Sequence, residues 1–444
     1  MPMVANTKRI PDSRRPHGNE DDGELLRIEK VICYHPPREF WIVGVLTNRE
    51  RMTWSALCLA TIVALSVLWR SGEWLLHADG SVWAQDYLAQ WAAGRRLWDG
   101  HAPLVYNWHA HERYQARLIG VAAPVKLYIF YPPPFLFTTI PFAKFNFLPA
   151  TLAFLTVTVA AYAASLRLLL RNWSLAILVA LSGGGAFYCL WYTQNGFLTA
   201  ALMTAALALL TTRPIFAGLL IGCLTIKPQL GLLIPVALVA GGHWRTIVAA
   251  VITTVALAIA AEILIGPGIW MAFIGSLHDT VGFLDSGNLW FKQQSVFALA
   301  LPFVGPLGAW LCYAIVASMV TIIVAAMWRS PKVEQRIKSS ALISGGLLVT
   351  PYLYSYDAVG LSSVAVMLLD RRNSTAQPWP ERVAVFAACL MPIASRYLLS
   401  AAVPIAALIM LYLAVRQAGR AKGSASAMIV QGDLSANLGT HSVG

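Results

Sequence analysis

The chain has 444 residues, of which 57% are hydrophobic and only 12% are charged. A soluble globular domain carries roughly 25% charged residues, so this composition excludes a protein that is mainly surrounded by water. The net charge of +12 does not indicate a nucleic-acid partner, because the basic residues are spread over loop ends and do not gather on one face. We therefore expect one large helical membrane domain and no sizeable soluble domain.

The N-terminal residues 1–51 carry nearly balanced charge and several prolines, and we expect a disordered cytoplasmic tail there. The first apolar segment begins at Met52 directly behind two arginines, which is typical of the first span of a bacterial membrane protein. Met52 is accordingly expected to be the native start, and 52–418 to form the transmembrane domain. A second disordered cytoplasmic tail is expected at 419–444.

Clusters of Lys and Arg mark the predicted cytoplasmic loops and orient the apolar segments between them. They predict an all-α protein with about twelve crossings of the bacterial inner (plasma) membrane and both termini in the cytoplasm. The predicted spans are 54–69, 149–168, 174–190, 196–212, 214–226, 229–242, 245–265, 307–328, 339–353, 356–370, 382–398 and 402–416. Several are shorter than the roughly 20 residues of a full span, and the two that flank Lys227 are expected to be half-helices beside a cavity.

The apolar stretch from Tyr131 to Pro149 has two interpretations. In this orientation it enters and leaves on the outer side, and its three consecutive prolines favour a re-entrant segment packed against protein. Alternatively, it is a full span.

The unusual polar residues share the outer face in this orientation, since they lie in loops 70–134 and 266–294 and in the turns near Gln194, Lys227 and Asp357. This convergence predicts an active site on the periplasmic side.

The segment 85–107 is the most informative loop motif because it mixes aromatic and charged residues just after the first span. An amphipathic helix at the level of the lipid headgroups is expected there, anchored by Trp83, Tyr87, Trp91 and Trp98. Asp86 is then placed to accept a proton from an attacking sugar hydroxyl. The structural alternatives for Asp86 are a helix N-cap or an ion pair with Arg95 or Arg96.

Five segments stand out in chain order: DYLAQWAAGRRLWDGHAPLVY (86–106), YPPPFLFTTIPF (131–142), QNGFLTAALMTAAL (194–207), AGLLIGCLTIKPQLGLLIPVAL (217–238) and TPYLYSYDAVGL (350–361). In these segments and in their order the chain resembles glycosyltransferase family 87, membrane enzymes of GT-C architecture that use polyprenyl-phosphate sugars. The resemblance implies a GT-C-type helical bundle, inverting transfer and a catalytic aspartate in the first outer loop, which corresponds to Asp86 as general base. Two departures are GFL after Asn195 and an inserted HAHERYQARL in the outer loop.

The departing phosphate of such a donor needs positive charge nearby. Lys227 is the first candidate, because an ammonium between two apolar runs needs an anionic partner. The alternatives are a snorkelling lysine and a structural pair with a carboxylate. Arg95 and Arg96 are further candidates, with headgroup contacts or a salt bridge to Asp99 as alternatives. No metal or other cofactor is expected, because a lipid monophosphate leaving group does not require one and a DxD motif is absent.

Several polar and aromatic residues are expected to bind sugar hydroxyls or to stack on a sugar ring: Tyr131, Gln194, Asn195, Gln229, His278, Tyr356 and Asp357. Their alternatives are helix–helix hydrogen bonds for the amides and an aromatic belt with a helix N-cap for the Tyr356 region. The HAHE run is interpreted as surface loop, since it lacks the HExxH metal-binding pattern.

The predicted function is therefore transfer of a hexose such as mannose from a polyprenyl-phosphate donor to an outer glycolipid or glycan acceptor. Two other functions stay open: a transporter or lipid flippase, and a ligase or polymerase that uses lipid diphosphate-linked glycans.

Overall fold

The structure is a computed structural model that describes residues 46–439 apart from 78, 84, 286–291, 371–377 and 399. Within these residues the regular structure is helical, and β-type pairing is confined to isolated bridges. The α-helices are α1 (Asn48–Arg70), α2 (Asp86–Trp98), α3 (Trp108–Ile119), α4 (Phe147–Leu170), α5 (Trp173–Ala180), α6 (Gly184–Trp191), α7 (Gly196–Leu209), α8 (Pro214–Cys223), α9 (Ile234–Ala240), α10 (Trp244–Ala260), α11 (Ile269–Asp285), α12 (Val296–Arg329), α13 (Gln335–Val349), α14 (Gly360–Leu368), α15 (Trp379–Leu390) and α16 (Ala402–Gly439).

Five helices are long and apolar enough to cross a membrane, which makes the chain a polytopic helical membrane protein. They are Asn48–Arg70, Phe147–Leu170, Trp244–Ile265, Val296–Arg329 and Ala402–Arg420. A sixth span results if α5 and α6, which meet at an angle of 72°, are counted as one broken span. Helix length therefore does not support the predicted count of about twelve spans, although each predicted span coincides with a helix or a pair of short helices.

The break around Lys227 shows why the count falls. The two predicted spans there form α8 and α9, which are separated by the 3-10 turns Leu224–Ile226 and Pro228–Gly231. Pro228 cannot donate a backbone hydrogen bond and disfavours helical geometry in the residue before it, so a continuous helix ends at this point. The result is two half-helices whose junction lines a cavity, as the sequence predicted.

The stretch from Tyr131 to Pro149 does not form a full helical span. It contains the 3-10 helices Pro133–Thr138 and Ile140–Phe142, and α4 begins only at Phe147. The side chains of Phe135 and Leu136 are fully buried inside the protein. This favours the first interpretation, because non-helical backbone at membrane depth is stable only where protein or water covers it.

Helix α1 begins at Asn48, whereas the sequence predicted that the transmembrane domain begins at Met52. Thr47 and Glu50 form a capping box, in which the Thr47 hydroxyl accepts from the Glu50 N–H at 3.3 Å and the Glu50 carboxylate accepts from the Thr47 N–H at 2.7 Å. Buried Glu50 also pairs with Arg382 at 2.9 Å. Residues 48–51, which the sequence assigns to the tail, thus belong to the first helix.

Helix α2 forms where the sequence predicted it, but two of its aromatic anchors are not at a lipid surface. Tyr87 is buried and stacks on Phe154 with ring centres 4.7 Å apart. Trp91 is also buried, and its indole N–H donates to the Phe145 carbonyl at 3.0 Å. The expected headgroup contact is therefore wrong for these two rings, because the helix packs on the start of α4; Trp98 is exposed.

The packed centre of the protein brings two turns together. Helix α4 lies along α7, α8 along α10, and α13 along α16. The turn between α6 and α7 then meets the 3-10 helix Ser355–Val359. These two turns carry four of the residues that the sequence predicted for the site: Gln194, Asn195, Tyr356 and Asp357.

Candidate functional site

A cavity of about 280 Å³ lies beside the two central turns. Six of the predicted site residues line it: Asp86, Tyr131, Gln194, Lys227, Gln229 and Tyr356. Further lining residues that the sequence analysis did not select are Gln90, Lys126, Tyr128, Lys292 and Tyr354. The cavity thus combines carboxylate, ammonium, amide and aromatic groups, which is the mixture expected of a site for a charged and hydroxylated ligand.

Asp86 enters the cavity as the first residue of α2. A carboxylate in the first turn interacts favourably with the helix dipole. One carboxylate oxygen accepts from the Gln194 side-chain amide at 3.1 Å, and the other accepts from the Lys292 ammonium at 3.3 Å. The Asp86 side chain keeps 18% of its surface exposed, so it is oriented by protein and still accessible from the cavity.

Gln194 connects Asp86 to the rest of the site. Its side-chain carbonyl accepts from Gln90 at 3.1 Å, from the Tyr131 hydroxyl at 3.2 Å and from the Asn195 backbone N–H at 3.2 Å. The preceding residue, Thr193, has a φ of +51°, which is unfavourable for a β-branched residue. Strained residues of this kind persist where surrounding contacts hold them, and they cluster at functional sites.

Lys227 has the anionic partner that its position requires, and that partner is Asp357. The ammonium donates to Asp357 Oδ1 at 2.5 Å and to Asn195 Oδ1 at 3.4 Å. Only 1% of the Lys227 side chain and none of the Asp357 side chain is exposed. The other Asp357 oxygen accepts from the Tyr354 backbone N–H at 3.1 Å. The structure therefore realises the alternative of a carboxylate pair, which neutralises much of the lysine charge.

Aromatic rings surround the Lys227 ammonium. Its nitrogen lies 4.9 Å from the centre of the Tyr356 ring and 5.5 Å from that of Tyr131, distances at which a cation is attracted to a ring face. Tyr354 stacks on Tyr356 with ring centres 5.3 Å apart. These side chains form one tyrosine-rich wall of the cavity.

Gly196 allows the two central turns to approach each other. A Cβ atom at this position would lie 2.1 Å from the backbone carbonyl oxygen of Tyr356, far inside van der Waals contact. Only glycine fits here without a backbone shift, so the GF sequence after Asn195 holds Asn195 and Asp357 within reach of the same lysine.

Five predicted residues are not part of the cavity lining. Asn195 and Asp357 lie against Lys227, and Arg95, Arg96 and His278 lie elsewhere. Arg95 donates to the Phe145 carbonyl at 3.3 Å and stacks over Trp91, while Arg96 donates to the Ala110 carbonyl at 2.5 Å. Both belong to the last turn of α2, roughly 13 Å along the helix from Asp86 at its start. His278 is exposed in a separate groove of about 830 Å³ between α11 and the start of α3.

The HAHE segment was predicted to be a surface loop. In the structure it is part of α3 instead. His111 and Glu112 are buried against the protein, and exposed His109 pairs with Glu112 at 3.6 Å. His111 donates through Nε2 to the Ala89 carbonyl at 3.2 Å. Burial, reinforced by nearby Arg96, lowers the pKa of His111 to about 3, so this imidazole is neutral at ordinary pH.

Lys292 is the most important residue that the sequence analysis missed. It directly precedes Gln293 and Gln294. The backbone of Gln293 pairs with Tyr354 of the tyrosine-rich wall, and the Gln294 N–H donates to the carbonyl of the adjacent Leu353. Its nitrogen also lies 4.5 Å from the ring centre of Tyr192. The available signal was a lysine adjoining two glutamines in a predicted outer loop, but its pairing with Asp86 depends on the fold.

These contacts form one polar network that runs from Lys292 through Asp86, Gln194 and Asn195 to Lys227 and Asp357. The network holds an accessible carboxylate beside ammonium groups and tyrosine rings. Such an arrangement can accept a proton from a hydroxyl nucleophile and stabilise an anionic leaving group.

The comparison with known proteins matches this chemistry. The family model described as glycosyltransferase family 87 matches residues 128–351, just over half of the 444-residue chain. The matched region contains Tyr131, Gln194, Lys227 and Lys292, whereas Asp86 precedes it and Tyr354, Tyr356 and Asp357 follow it. No curated protein and no solved structure matches the chain.

Proposed function

Because the chain belongs to glycosyltransferase family 87 and is thus a membrane glycosyltransferase, we propose that it transfers a hexose such as mannose from a polyprenyl-phosphate donor. The acceptor is a glycolipid or glycan, and the transfer inverts the anomeric configuration. The observation that carries this proposal is the cavity in which accessible Asp86 faces lysine ammonium groups and a tyrosine wall. Family membership also favours this function over a transporter or flippase.

Asp86 is proposed as the general base. It takes the proton of the acceptor hydroxyl while that oxygen forms a bond to the anomeric carbon of the donor sugar. The bond from this carbon to the phosphate oxygen breaks, and its electron pair leaves with the polyprenyl phosphate. Gln194 supports this role because it binds one Asp86 oxygen at 3.1 Å and so fixes the direction of the carboxylate.

Lys227 is retained as a contact of the donor phosphate. An ammonium has three N–H donors, and Lys227 uses two of them for Asp357 and Asn195. We assign the third donor to the phosphate, because Lys227 belongs to the cavity lining although only 1% of its side chain is exposed. Arg95 and Arg96 are not retained, because both lie outside this cavity and contact backbone carbonyls, of Phe145 before α4 and of Ala110 in α3.

The sugar is proposed to bind against the tyrosine wall. Tyr131, Tyr354 and Tyr356 line the cavity with aromatic side chains, and Gln229 adds an amide to the lining. Asn195 and Asp357 act behind this surface by holding Lys227. His278 is proposed to contact the acceptor from the neighbouring groove, which shares α11 with the catalytic cavity.

A GT-C-type bundle with its site on the periplasmic face of the bacterial inner membrane is the proposed setting. Basic residues lie at helix ends that carry none of the site residues: Arg167 and Arg171 at the end of α4, Arg213 before α8 and Arg329 at the end of α12. By the positive-inside rule this supports a cytoplasmic position for these ends. Both termini are then cytoplasmic. No metal or other cofactor enters the proposed reaction.

The test is transfer by the purified protein in lipid nanodiscs, with radiolabelled polyprenyl-phosphate mannose and a membrane glycolipid extract. The Asp86→Asn variant should lose about 10²- to 10⁴-fold in rate, which is the usual contribution of a general base. Asp79→Asn is the matched control, because Asp79 is exposed in the same outer loop and bonds Ser81 instead of a cavity residue. Equal rates for both variants would refute the role of Asp86, and no transfer by the unmodified protein with this donor would refute the sugar or donor class.

A further inference from the structure

We propose that Lys292 is a ligand of the donor phosphate and that Asp86 and this phosphate compete for its ammonium group. Donor binding then removes Lys292 from Asp86 and leaves the carboxylate free to accept the acceptor proton. This inference rests on the proposed function and adds to it an order of events.

The geometry around Lys292 suits an exchange of partners. Its ammonium is 3.3 Å from Asp86, and the side chains of Lys292 and Asp86 are 20% and 18% exposed to the cavity. The main chain is held in place, because the following residue Gln293 pairs with Tyr354. A long flexible side chain on a fixed backbone can reach a second anion without moving the wall.

Lys227 shows the opposite properties. It is almost fully buried, it lies 2.5 Å from Asp357, and Asn195 binds it as well. Breaking that pair would leave an uncompensated buried charge, which is strongly unfavourable. The side chains of the Lys292–Asp86 pair are 20% and 18% exposed, so water can compensate part of the charge when the pair separates, and Lys292 is the cavity cation whose partner can change during a reaction cycle.

The chemistry favours such a change. A carboxylate that accepts a hydrogen bond from an ammonium is a poorer proton acceptor than a free one. When the phosphate takes over Lys292, the Asp86 oxygen that bound it can accept the proton of the acceptor hydroxyl. The new glycosidic bond forms at the anomeric carbon, and Lys292 stabilises the negative charge that collects on the departing phosphate. The base therefore acts only when the leaving group is in place.

The experiment measures binding rather than turnover. A short-chain polyprenyl monophosphate is titrated into the full-length protein in nanodiscs, with the corresponding polyprenyl alcohol as the neutral control. The variants are Asp86→Asn, Lys292→Gln, the double variant and Lys292→Arg. Lys144→Gln is the matched lysine control, because Lys144 lies over the Trp98 ring outside the cavity.

We expect Lys292→Gln to weaken binding of the monophosphate about tenfold, the value of a hydrogen bond to a charged group. Lys292→Arg should restore most of this loss, and Lys144→Gln should change little. Asp86→Asn should tighten binding about threefold to tenfold because the competitor for Lys292 is removed. The same Asp86→Asn change should have less than about a twofold effect in the Lys292→Gln background.

Two results would overturn the inference in different ways. If the monophosphate binds better than the alcohol but Asp86→Asn tightens it equally in both backgrounds, or not at all, the competition is refuted and the proposed function stands. If the unmodified protein does not prefer the monophosphate to the alcohol, the proposed donor class fails and this inference fails with it.

Discussion

Replacing the buried Lys227 by methionine should destabilise the protein far more than replacing the partly exposed Lys292. The substitution keeps the length and the apolar stem of the side chain but removes the ammonium. Asp357 then keeps its charge inside the protein, where none of its side chain is exposed and the Tyr354 backbone N–H remains as a partner. Removal of one member of a buried ion pair costs about 3–5 kcal/mol of the free energy of unfolding.

A double-mutant cycle separates the ion pair from other effects of the substitution. Lys227→Met with Asp357→Asn leaves no buried charge, so the loss in the double variant should be smaller than the sum of the two single losses by about 1–3 kcal/mol. Equilibrium unfolding in mixed micelles, followed by circular dichroism during titration with sodium dodecyl sulfate, measures these free energies.

Lys292→Met provides the comparison in the same assay. Its pair with Asp86 is 20% and 18% exposed, so its removal should cost less than about 1 kcal/mol. Equal losses for the two lysine variants, or additive losses for Lys227→Met and Asp357→Asn, would refute the reasoning that burial makes the Lys227 pair structural.

Three further predictions concern the support of the site. Gly196→Ala should destabilise the protein by about 1–3 kcal/mol in the same unfolding titration, because its Cβ would lie 2.1 Å from the Tyr356 carbonyl oxygen; an unchanged midpoint would contradict that close approach. Gln194→Ala should slow sugar transfer about tenfold to a hundredfold, since it releases one oxygen of Asp86, and should cost about 1–3 kcal/mol of stability because Gln90 and Tyr131 lose their acceptor; a rate equal to that of the unmodified protein would show that the amide does not orient the base. Since the pKa of buried His111 is lowered to about 3, the unfolded chain binds the extra proton below a pH of about 6.5, and stability should be full above that pH and fall by at most about 1.4 kcal/mol per unit toward pH 3. His111→Gln should flatten this slope, and equal slopes would argue against a buried neutral imidazole.

The membrane environment of this protein and its local secondary structure could be predicted from the sequence alone. Long apolar runs with few charges are properties of neighbouring residues, and they identify a helical membrane protein without knowledge of the fold. Proline acts locally as well, so the break at Pro228 and the non-helical stretch after Tyr131 were predictable from the positions of prolines. The motif order also identified the family, and Asp86, Gln194 and Lys227 line one cavity as expected.

The tertiary structure decided which charges meet. Lys227 pairs with Asp357 across 130 positions of sequence, and Lys292 pairs with Asp86 across 206. From the sequence, Arg95 and Arg96 were predicted to contact the phosphate and Lys292 was not selected, although of these three residues Lys292 alone lines the cavity. Hydropathy also could not tell lipid contact from protein contact, and Tyr87 and Trp91 proved to be buried against α4. Partner choice depends on how distant helices pack, and no local pattern of residues records it.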